Sequence, residues 1–321
     1  MINVGFQSQV QELLPEVEAR MRSLADGYQP ELGNALHQLL DAGGKRVRPT
    51  LALLVAGMLN VPHDLSITLA AAVEVLHTAT LVHDDLIDGA MLRRGNPTLN
   101  AKWNSAATIL AGDFLFSQAA WLGAQVGSVE VMQMFAKTLS VIVDGEIKQI
   151  FTRHNFPSRS EYKQGIYAKT ASMFELAANS PAYLMNVVDE YGERLRAYGY
   201  GVGMAFQTVD DILDFSSDTQ TLGKPVASDL RIGLITLPTL LFAEMNPKDS
   251  RVLKLKRGEH LEDAEVEALL GGIRGSGAVQ RAHDEAGLFV SNALDALDHL
   301  PACPERYALA ELANYVTERL Q

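Results

Sequence analysis

One acidic pattern occurs twice in this chain of 321 residues, each time inside an apolar stretch with helical spacing. The first copy reads Asp84-Asp85-Leu86-Ile87-Asp88, and the second reads Asp210-Asp211-Ile212-Leu213-Asp214. Residues four positions apart lie on the same face of an α-helix. In each copy the first and last aspartates therefore share one helix face, and the second aspartate flanks them.

Three carboxylates on a largely apolar helix are unfavourable, because burial removes their water and like charges repel. Divalent cations bound between the two helices would offset this cost. Mg²⁺ prefers oxygen ligands and usually binds a substrate phosphate together with one or two carboxylates. Two solvated acidic faces are the ordinary alternative, but the repetition of the motif with the same apolar filling favours a metal site.

Helical periodicity dominates the rest of the sequence, and alternating strand patterns with Asn-Gly or Asp-Gly hairpins are missing. The sequence therefore predicts an all-α fold with one domain over residues 1–321. Ser66 and Ser160 are expected N-caps, and Pro49 suits a first helical turn. The predicted helices cover residues 3–23, 30–42, 48–59, 66–88, 98–124, 129–152, 159–186, 190–215, 235–245, 262–272, 277–297 and 304–319.

The formal net charge of −12 argues against general nucleic-acid binding, which requires a basic face. Cys303 is the only cysteine, so an intramolecular disulfide is impossible and a reducing compartment fits. The first residues lack a basic segment followed by an apolar core, and the apolar run at 51–59 is too short to span a bilayer. We therefore expect a cytoplasmic protein without stable membrane insertion or a nucleic-acid partner.

Cationic residues cluster before one predicted helix, in Gly43-Gly44-Lys45-Arg46-Val47-Arg48-Pro49. Glycine lets a backbone approach a ligand closely, and lysine and arginine bind phosphate oxygens. Phosphate binding and a solvated basic turn are both compatible with this segment alone. Each aspartate motif is also followed by a loop with cations: Arg93-Arg94-Gly95 after the first and Gly223-Lys224-Pro225 after the second.

These segments occur in the order and spacing of the trans-isoprenyl (polyprenyl) diphosphate synthases, over about residues 40 to 240. His77 before the first motif, Lys169-Thr170, and Phe206-Gln207 before the second motif belong to the same pattern. The chain resembles this family, and especially long-chain members such as the octaprenyl and solanesyl diphosphate synthases. The resemblance implies a helical bundle around a deep central cavity and a homodimer. It also implies Mg²⁺-dependent, head-to-tail condensation of isopentenyl diphosphate onto an allylic diphosphate.

The resemblance also implies a role for each matching residue. The direct Mg²⁺ ligands would be Asp84, Asp88 and Asp210, while Asp85, Asp211 and Asp214 would orient ligands or hold metal-bound water. Contacts to the allylic substrate and its leaving diphosphate would come from Arg93, Lys169, Thr170, Gln207 and Lys224. The isopentenyl diphosphate site would comprise Lys45, Arg48, His77 and Arg94. The six aspartates and Lys169 together form the implied catalytic group.

One position departs from the family pattern. Many relatives carry a lysine where this chain has Leu234, so one cation near the allylic diphosphate is missing. Arg231 is a candidate replacement. The sequence identifies no base for the final proton loss, and the released diphosphate is one candidate.

Ala79 and Thr80 stand where short-chain relatives carry a bulky aromatic residue that stops the growing product. Small side chains leave volume for a longer tail, so a long-chain product is favoured over farnesyl or geranylgeranyl diphosphate. In the alternative, the alanine only allows close helix packing, and a bulky residue such as Met132 or Phe135 forms the floor of the cavity.

Three other classes of protein share part of this pattern. A class I terpene cyclase has the first motif, but its second usually carries Ser or Thr at the position of Asp214 and Glu at that of Asp218. A non-catalytic partner subunit would tend to lose the aspartates that this chain keeps. A His-Asp metal phosphohydrolase is suggested only by His83-Asp84, without further histidine ligands at helical spacing. The sequence therefore favours a polyprenyl diphosphate synthase.

Overall fold

The described chain is built almost entirely from helices. The computed structural model describes residues 5–41, 44–93, 95–216 and 227–319. The α-helices are α1 (Leu14–Ser23), α2 (Pro30–Asp41), α3 (Val47–Met58), α4 (His63–Ile87), α5 (Leu99–Lys102), α6 (Ser105–Gln125), α7 (Val129–Thr152), α8 (Arg159–Ile166), α9 (Ser172–Leu184), α10 (Glu193–Ser216), α11 (Ser228–Arg231), α12 (Leu237–Met245), α13 (Ser250–Lys256), α14 (Asp263–Gly275), α15 (Ala278–Leu297) and α16 (Pro304–Glu318).

Shorter elements complete the described chain. A 3-10 helix covers Gly5–Gln7, and π-helical turns cover Tyr167–Ala171 and Val188–Gly192. Within the described residues, strands are limited to one antiparallel hairpin of β1 (Leu92–Arg93) and β2 (Asn96–Pro97). The prediction of an all-α fold is confirmed.

The helices belong to two compact units, each made of several chain segments. Unit 1 comprises Met1–Lys137, Met173–Arg196 and Leu297–Leu312, and unit 2 comprises Thr138–Ser172, Ala197–Ala296 and Ala313–Gln321. The first aspartate motif lies in unit 1 and the second lies in unit 2. A single domain over the whole chain stays a prediction.

Helix α4 is the central helix of unit 1 and packs against α1, α3 and, most extensively, α6. It is buried along most of its length, and the small side chains of residues 70–72 allow close approach of its neighbours. Each large aliphatic side chain buried in this way contributes roughly 1.5–3 kcal/mol. The first aspartate motif is therefore carried at the end of a firmly packed helix.

Helix α4 is also, among the described residues, the one helix that is long and apolar enough to cross a membrane. However, 78% of its most apolar window is buried inside the protein. Core helices of soluble proteins pass the same test of length and composition, so this is weak evidence for a membrane span.

Unit 2 contains an apolar cluster shared by α10, α12 and α14. Phe215 of α10 is fully buried in it, and Nε of Arg274 on α14 donates to the Phe215 carbonyl at 2.7 Å. This bond satisfies one of the last carbonyls of α10. Gly201 brings α10 against α15, because a Cβ there would lie 2.7 Å from the carbonyl oxygen of Phe289. These contacts fix the helix that carries the second motif.

Some predicted helix starts are wrong. Helix α1 begins at Leu14 instead of residue 3, because Pro15 is tolerated in a first turn but not in a helix interior. Helix α4 begins earlier than predicted, at His63, so Ser66 lies inside the helix and is not its N-cap. Pro49 lies in the first turn of α3, as predicted.

The long helices predicted over 98–124 and 159–186 are both interrupted. The first breaks between α5 and α6, where the side chain of Asn104 caps α6. The N-cap of α8 is Ser158 instead of Ser160, and it forms a reciprocal capping box with Glu161. Helices α11 and α13 were not predicted, because four and seven residues carry little periodicity.

The π-helical turn Tyr167–Ala171 interrupts the helix predicted over 159–186 and carries the Lys169-Thr170 pair. Such turns occur often at functional sites. Gly145 allows this turn to touch α7, because a Cβ at that position would lie 2.5 Å from the Cβ of Ala168.

Candidate active site

The first aspartate motif lies at the C-terminal end of helix α4. The helix ends at Ile87, and the N–H of Asp88 donates to the Asp84 carbonyl at 2.8 Å. Gly89 follows with φ of 63°, a left-handed conformation that ends a helix and favours glycine. Asp84 is half-buried and Asp88 is exposed. Two carboxylates one turn apart therefore stand at the end of an otherwise buried helix.

Asp85 is the buried member of this motif, and an arginine holds it. Nε of Arg93 donates to both carboxylate oxygens, at 2.8 Å and 3.0 Å, and Nη2 lies 2.7 Å from Oδ1. This charged pair ties the hairpin β1–β2 to the end of α4. Asp85 is thus placed to organise the motif. Arg94 lies outside the described residues.

His83, directly before the motif, is anchored to α6. Its Nε2–H donates to the carbonyl of Ile109 at 3.1 Å and lies 3.6 Å from Oδ1 of Asp113. Gly112 makes room for the ring, because a Cβ there would lie 2.2 Å from Nε2. This placement ties the His83 ring to α6 and gives no support to a His-Asp phosphohydrolase.

Asp211 is the buried member of the second motif. The hydroxyl of Tyr162 donates to its Oδ2 at 2.8 Å, and Nε2 of Gln207 donates to its Oδ1 at 2.9 Å. Burial raises the pKa of Asp211 to about 8; the charges of Asp229 and Asp210 add to this, and the two hydrogen bonds oppose it. The middle aspartate is therefore buried and hydrogen-bonded in both motifs.

Asp214, the last aspartate of the second motif, caps the short helix α11. Its Oδ1 accepts from the backbone N–H of Ser228 at 3.2 Å and from the Ser228 hydroxyl at 2.9 Å. Its Oδ2 accepts from the N–H of Asp229 at 3.2 Å. Asp214 thus holds α11 at the end of α10. Lys224, in the segment that joins these helices, lies outside the described residues.

Thr170 and Gln207 form a hydrogen-bonded chain that ends at the second motif, and Lys169 directly precedes Thr170. The Thr170 hydroxyl donates to Oε1 of Gln207 at 2.5 Å, and the Gln207 amide donates onward to Asp211. Nζ of Lys169 lies 3.8 Å from Oε1 of Glu146 on α7. Unit 2 therefore connects two of the predicted allylic contacts, Thr170 and Gln207, to the second motif, while Lys169 pairs with α7.

Arg46, in the cationic segment before α3, is a structural arginine. All three guanidinium nitrogens are bonded: Nε to Glu18 at 3.1 Å, Nη1 to Glu74 at 3.0 Å and Nη2 to the Leu40 carbonyl at 2.8 Å. Arg46 and Glu74 are both buried. This group joins the segment to α1, α2 and α4.

Arg48 has a different environment in the same unit. Its Nη1 lies 3.2 Å from Nε2 of His77, and its guanidinium carbon lies 4.8 Å from the ring centroid of Phe174. A guanidinium only donates, so Nε2 of His77 is the acceptor in this contact. Lys45 is exposed, and its carbonyl accepts from the amide of Gln7 at 2.8 Å. The structure thus brings Arg48 and His77 together. Lys45 lies three positions before Arg48, outside the helix.

The residues predicted to set product length lie in the buried part of α4. Ala79 is fully buried, and the Thr80 hydroxyl donates to the carbonyl three residues back at 2.8 Å. The alternative floor residues pack on α6: a Cβ at Gly123 would lie 3.0 Å from Sδ of Met132 and 3.7 Å from the ring of Phe135.

Arg231, the candidate replacement for a missing lysine at Leu234, follows the second motif in unit 2. Its guanidinium donates to Asp263 at 3.1 Å and also to Glu267, both on α14. Compensation by Arg231 stays a prediction.

The carboxylates suit a hard divalent cation that brings part of its own ligand shell. Asp84 and Asp88 offer oxygen donors from one helix face, and Asp210 offers another in the second motif. Among the described residues, no group of three or more histidine, cysteine, aspartate or glutamate side chains forms a ready-made site. The carboxylates of either motif, taken separately, suit Mg²⁺, which usually keeps water and phosphate ligands, better than a structural Zn²⁺ site, which takes four protein ligands.

Sequence reasoning missed Tyr162, Glu74 and Arg319 as partners of the predicted residues. Arg319 pairs with Asp210, Nη2 lying 2.7 Å from Oδ1. Glu74 carried a usable signal, because an acidic residue inside an apolar helix requires a partner. No local pattern links Tyr162 or Arg319 to the second motif.

This fold and these residues define a class of protein: an all-helical enzyme with two aspartate motifs and several basic side chains. The sequence model of the polyprenyl synthetase family matches residues 29–271. The chain belongs to this family of prenyltransferases, whose members generally use a divalent metal to bind diphosphate.

Individual relatives are similar over nearly the whole chain. The all-trans-nonaprenyl-diphosphate synthase (geranyl-diphosphate specific) of Rhodobacter capsulatus is 38% identical over 288 residues, 88% of this chain and 87% of its own. A polyprenyl synthase from Caulobacter crescentus CB15, complexed with calcium and isoprenyl diphosphate, superposes with a TM-score of 0.91 at 34% identity, covering 98% and 97% of the chains. A geranylgeranyl pyrophosphate synthase from Lactobacillus brevis ATCC 367 has a TM-score of 0.89 at 27% identity, covering 97% and 98%.

Proposed function

We propose that this enzyme condenses isopentenyl diphosphate with an allylic diphosphate to make a linear, long-chain, all-trans polyprenyl diphosphate. The observation that carries the proposal is the parallel construction of the two motifs. In each, the middle aspartate is buried and held by protein donors, Arg93 for Asp85 and Tyr162 with Gln207 for Asp211. Such supporting bonds orient neighbouring metal ligands.

We assign Asp84, Asp88 and Asp210 as the ligands of Mg²⁺. Bound Mg²⁺ would stabilise the negative charge that develops on the departing diphosphate. Arg93, which pairs with Asp85, keeps the end of α4 in place for this task. Asp214, which caps α11, does the same at the end of α10. The calcium and isoprenyl diphosphate in the similar synthase from Caulobacter support a divalent cation and a diphosphate ligand for this chain.

The two substrates are assigned to different groups of basic and polar side chains. Lys45, Arg48 and His77 would bind isopentenyl diphosphate, because Arg48 and His77 are in contact on neighbouring helices of unit 1. Lys169, Thr170 and Gln207 would bind the allylic diphosphate beside the second motif, together with Arg93. Holding both reactants in fixed geometry removes much of the entropic barrier. Apolar walls that exclude water protect an allylic cation from hydrolysis.

A long-chain product is supported by Ala79 and Thr80, the small residues of α4 that precede the first motif, and by the nonaprenyl synthase among the relatives. The alternative is a short-chain product with a floor at Met132 and Phe135, which pack against Gly123. The shared fold does not choose between them, because a geranylgeranyl pyrophosphate synthase is also a close structural neighbour.

We further propose that the enzyme is a cytoplasmic homodimer. Exposed apolar side chains support an interface on unit 1, with Leu110 and Trp121 on one face of α6, 67% and 53% exposed. Unit 2 exposes Val143, Ile147 and Phe151 along α7. Large exposed apolar side chains on one helix face are typical of an interaction surface when they join into a patch. Sedimentation of the purified protein, beside a Trp121→Glu variant, tests this assignment.

The reaction is tested by incubating the purified chain with isopentenyl diphosphate, farnesyl diphosphate and Mg²⁺. We expect linear products with more than four isoprene units, longer than geranylgeranyl diphosphate, and no activity in excess chelator. Asp84→Asn and Asp210→Asn should each lower kcat/KM by at least about 10²-fold, because each removes a metal ligand that acts in the transition state. Asp295→Asn, on the exposed face of α15, is the matched control and should be unchanged.

The same incubation separates the competing classes. Near-normal turnover in chelator would refute the metal assignment. A cyclic hydrocarbon from the allylic substrate alone would indicate a terpene cyclase. No turnover by the intact chain, with activity restored by a second subunit, would indicate a non-catalytic partner.

A further inference from the structure

Arg319, the residue directly after the last helix α16, lies against the second aspartate motif. Its Nη2 is 2.7 Å from Oδ1 of Asp210, and its guanidinium carbon is 4.5 Å from the ring centroid of Phe206. The Arg319 side chain is 16% exposed and that of Asp210 is 37% exposed. An arginine from the end of the chain therefore contacts the aspartate to which we assign a metal.

Two hydrogen-bond donors of Arg319, other than Nη2, distinguish it from an arginine with a purely structural role. Its Nε and Nη1 are buried and meet no hydrogen-bond acceptor in the described part of the chain. Arg46, by contrast, has a partner for every guanidinium nitrogen. Buried N–H groups are nearly always hydrogen-bonded in folded proteins. Arg319 is thus held mainly by the charge of Asp210 and the face of Phe206.

We propose that Arg319 is the counter-ion of Asp210 while no metal is bound, and that a divalent cation displaces it. This inference rests on the proposed role of Asp210 as a metal ligand. A guanidinium and a divalent cation repel each other strongly at one carboxylate. Metal therefore binds Asp210 only in the fraction of molecules whose Arg319 has left, and its apparent affinity is lowered by that fraction.

The test measures binding of Mn²⁺ alone to the purified full chain, by electron paramagnetic resonance of the unbound ion. Arg319→Gln should tighten Mn²⁺ binding about three- to tenfold, the range expected for loss of a partly exposed ion pair. Arg281→Gln, on the exposed surface of α15, removes the same charge elsewhere and should leave the affinity unchanged.

A double-mutant cycle separates direct competition at Asp210 from a general effect of charge. In an Asp210→Asn background, Arg319→Gln should no longer alter Mn²⁺ affinity, because the shared carboxylate is gone. If Asp210→Asn itself leaves Mn²⁺ binding unchanged, the metal assignment of the proposed function fails. If Asp210→Asn weakens binding but Arg319→Gln has no effect in the wild-type background, only the counter-ion role fails.

Thermal unfolding gives a second readout that is independent of activity. In chelator, Arg319→Gln should melt below the wild type, because the ion pair with Asp210 is lost. At saturating Mn²⁺ the two proteins should melt together, since the pair is already broken in the wild type. Arg319→Lys, which keeps the charge but lacks the planar fork, should show the same pattern with smaller differences. A melting difference that persists at saturating Mn²⁺ would show that Arg319 is a permanent structural contact and overturn the proposal.

Discussion

Asp85 and Asp211 occupy the same place in the two aspartate motifs, but their partners differ in charge. Asp85 is held by the guanidinium of Arg93, whereas Asp211 is held by the phenol of Tyr162 and the amide of Gln207. Burial without a cation raises the pKa of Asp211 to about 8. Burial also raises the pKa of Tyr162 well above its ordinary value, so its hydroxyl stays a donor. Equivalent sequence positions are therefore held by different kinds of donor.

This difference predicts a pH dependence for the metal-free protein. The pKa of Asp211 rises from 3.8 to about 8 on folding, so between these values the folded chain binds a proton that the unfolded chain has released. Stability contributed by Asp211 is complete below about pH 4 and falls as the pH rises toward about 8. Chemical denaturation in chelator across this range measures the effect. Asp211→Asn should flatten the slope, and an unchanged slope would show that another group titrates.

A single glycine decides whether His83 can hold α4 against α6. Glycine to alanine inside a helix usually stabilises by about 0.5–1 kcal/mol, but a Cβ at Gly112 would lie 2.2 Å from the His83 ring. We expect Gly112→Ala to destabilise the protein by about 1–3 kcal/mol and to lower activity through the displaced motif. Urea denaturation and steady-state kinetics measure both effects.

Gly287→Ala on α15 is the control for Gly112, because nothing lies within 4 Å of its added Cβ. It should stabilise the protein or leave it unchanged. His83→Ala should restore most of the stability lost in Gly112→Ala, because it removes the clash. A Gly112→Ala variant as stable as wild type would mean that α6 and the His83 ring separate easily.

At the scale of an element, the start of helix α3 combines two arginines with different tasks. Arg46 is buried against Glu74 and fixes the turn, while Arg48 faces His77 at the predicted isopentenyl diphosphate site. Their spacing in sequence is only two residues. The start of α3 is therefore both an anchor and a candidate binding site, although both arginines are buried.

Substitution should separate these two tasks. Arg46→Leu leaves Glu74 buried without its cation and should destabilise the protein by about 3–5 kcal/mol. Arg48→Ala should change stability much less but raise KM for isopentenyl diphosphate more than KM for the allylic primer. Thermal melts and two-substrate kinetics on both variants measure the split. A rise confined to the primer KM of Arg48→Ala would assign the site to the wrong substrate.

At the scale of the whole molecule, product length depends on how far a growing tail can extend. Ala79 lies five positions before Asp84, about 7.5 Å back along α4 at 1.5 Å per residue. Thr80 lies four positions before Asp84 and shares its helix face. Both positions are buried, and either could meet a tail that leaves the diphosphate site.

We expect Ala79→Phe and Thr80→Phe to shorten the product while the first condensation survives. If the alanine only permits helix packing, an aromatic ring there overpacks the core by about 1–3 kcal/mol and leaves product length unchanged. Reversed-phase chromatography of the products, beside a thermal melt of each variant, distinguishes these results. Shortening by Thr80→Phe alone would place the tail on the face of the first motif.

The sequence alone predicted the helical class, the family and the identity of the candidate site residues. The helical class follows from local physics, namely helical periodicity. The cost of carboxylates in apolar helices and the match between cations and phosphate indicate a metal and phosphate site, whereas the family and the residue roles come from the resemblance. The helix boundaries at Pro15 and Asn104 also follow from single local residues, a proline and an N-cap. Helical periodicity alone does not register such residues, so these boundaries were predicted wrongly.

Only the tertiary structure decided which partner each site residue has. Tyr162 and Arg319 are 49 and 109 positions from the aspartates that they contact, and no short-range pattern records such pairings. The raised pKa of Asp211 likewise depends on burial, a property of the packed unit. The chemistry of each side chain is thus set by its residue type, whereas its protonation, orientation and counter-ion are set by neighbours that folding brings together.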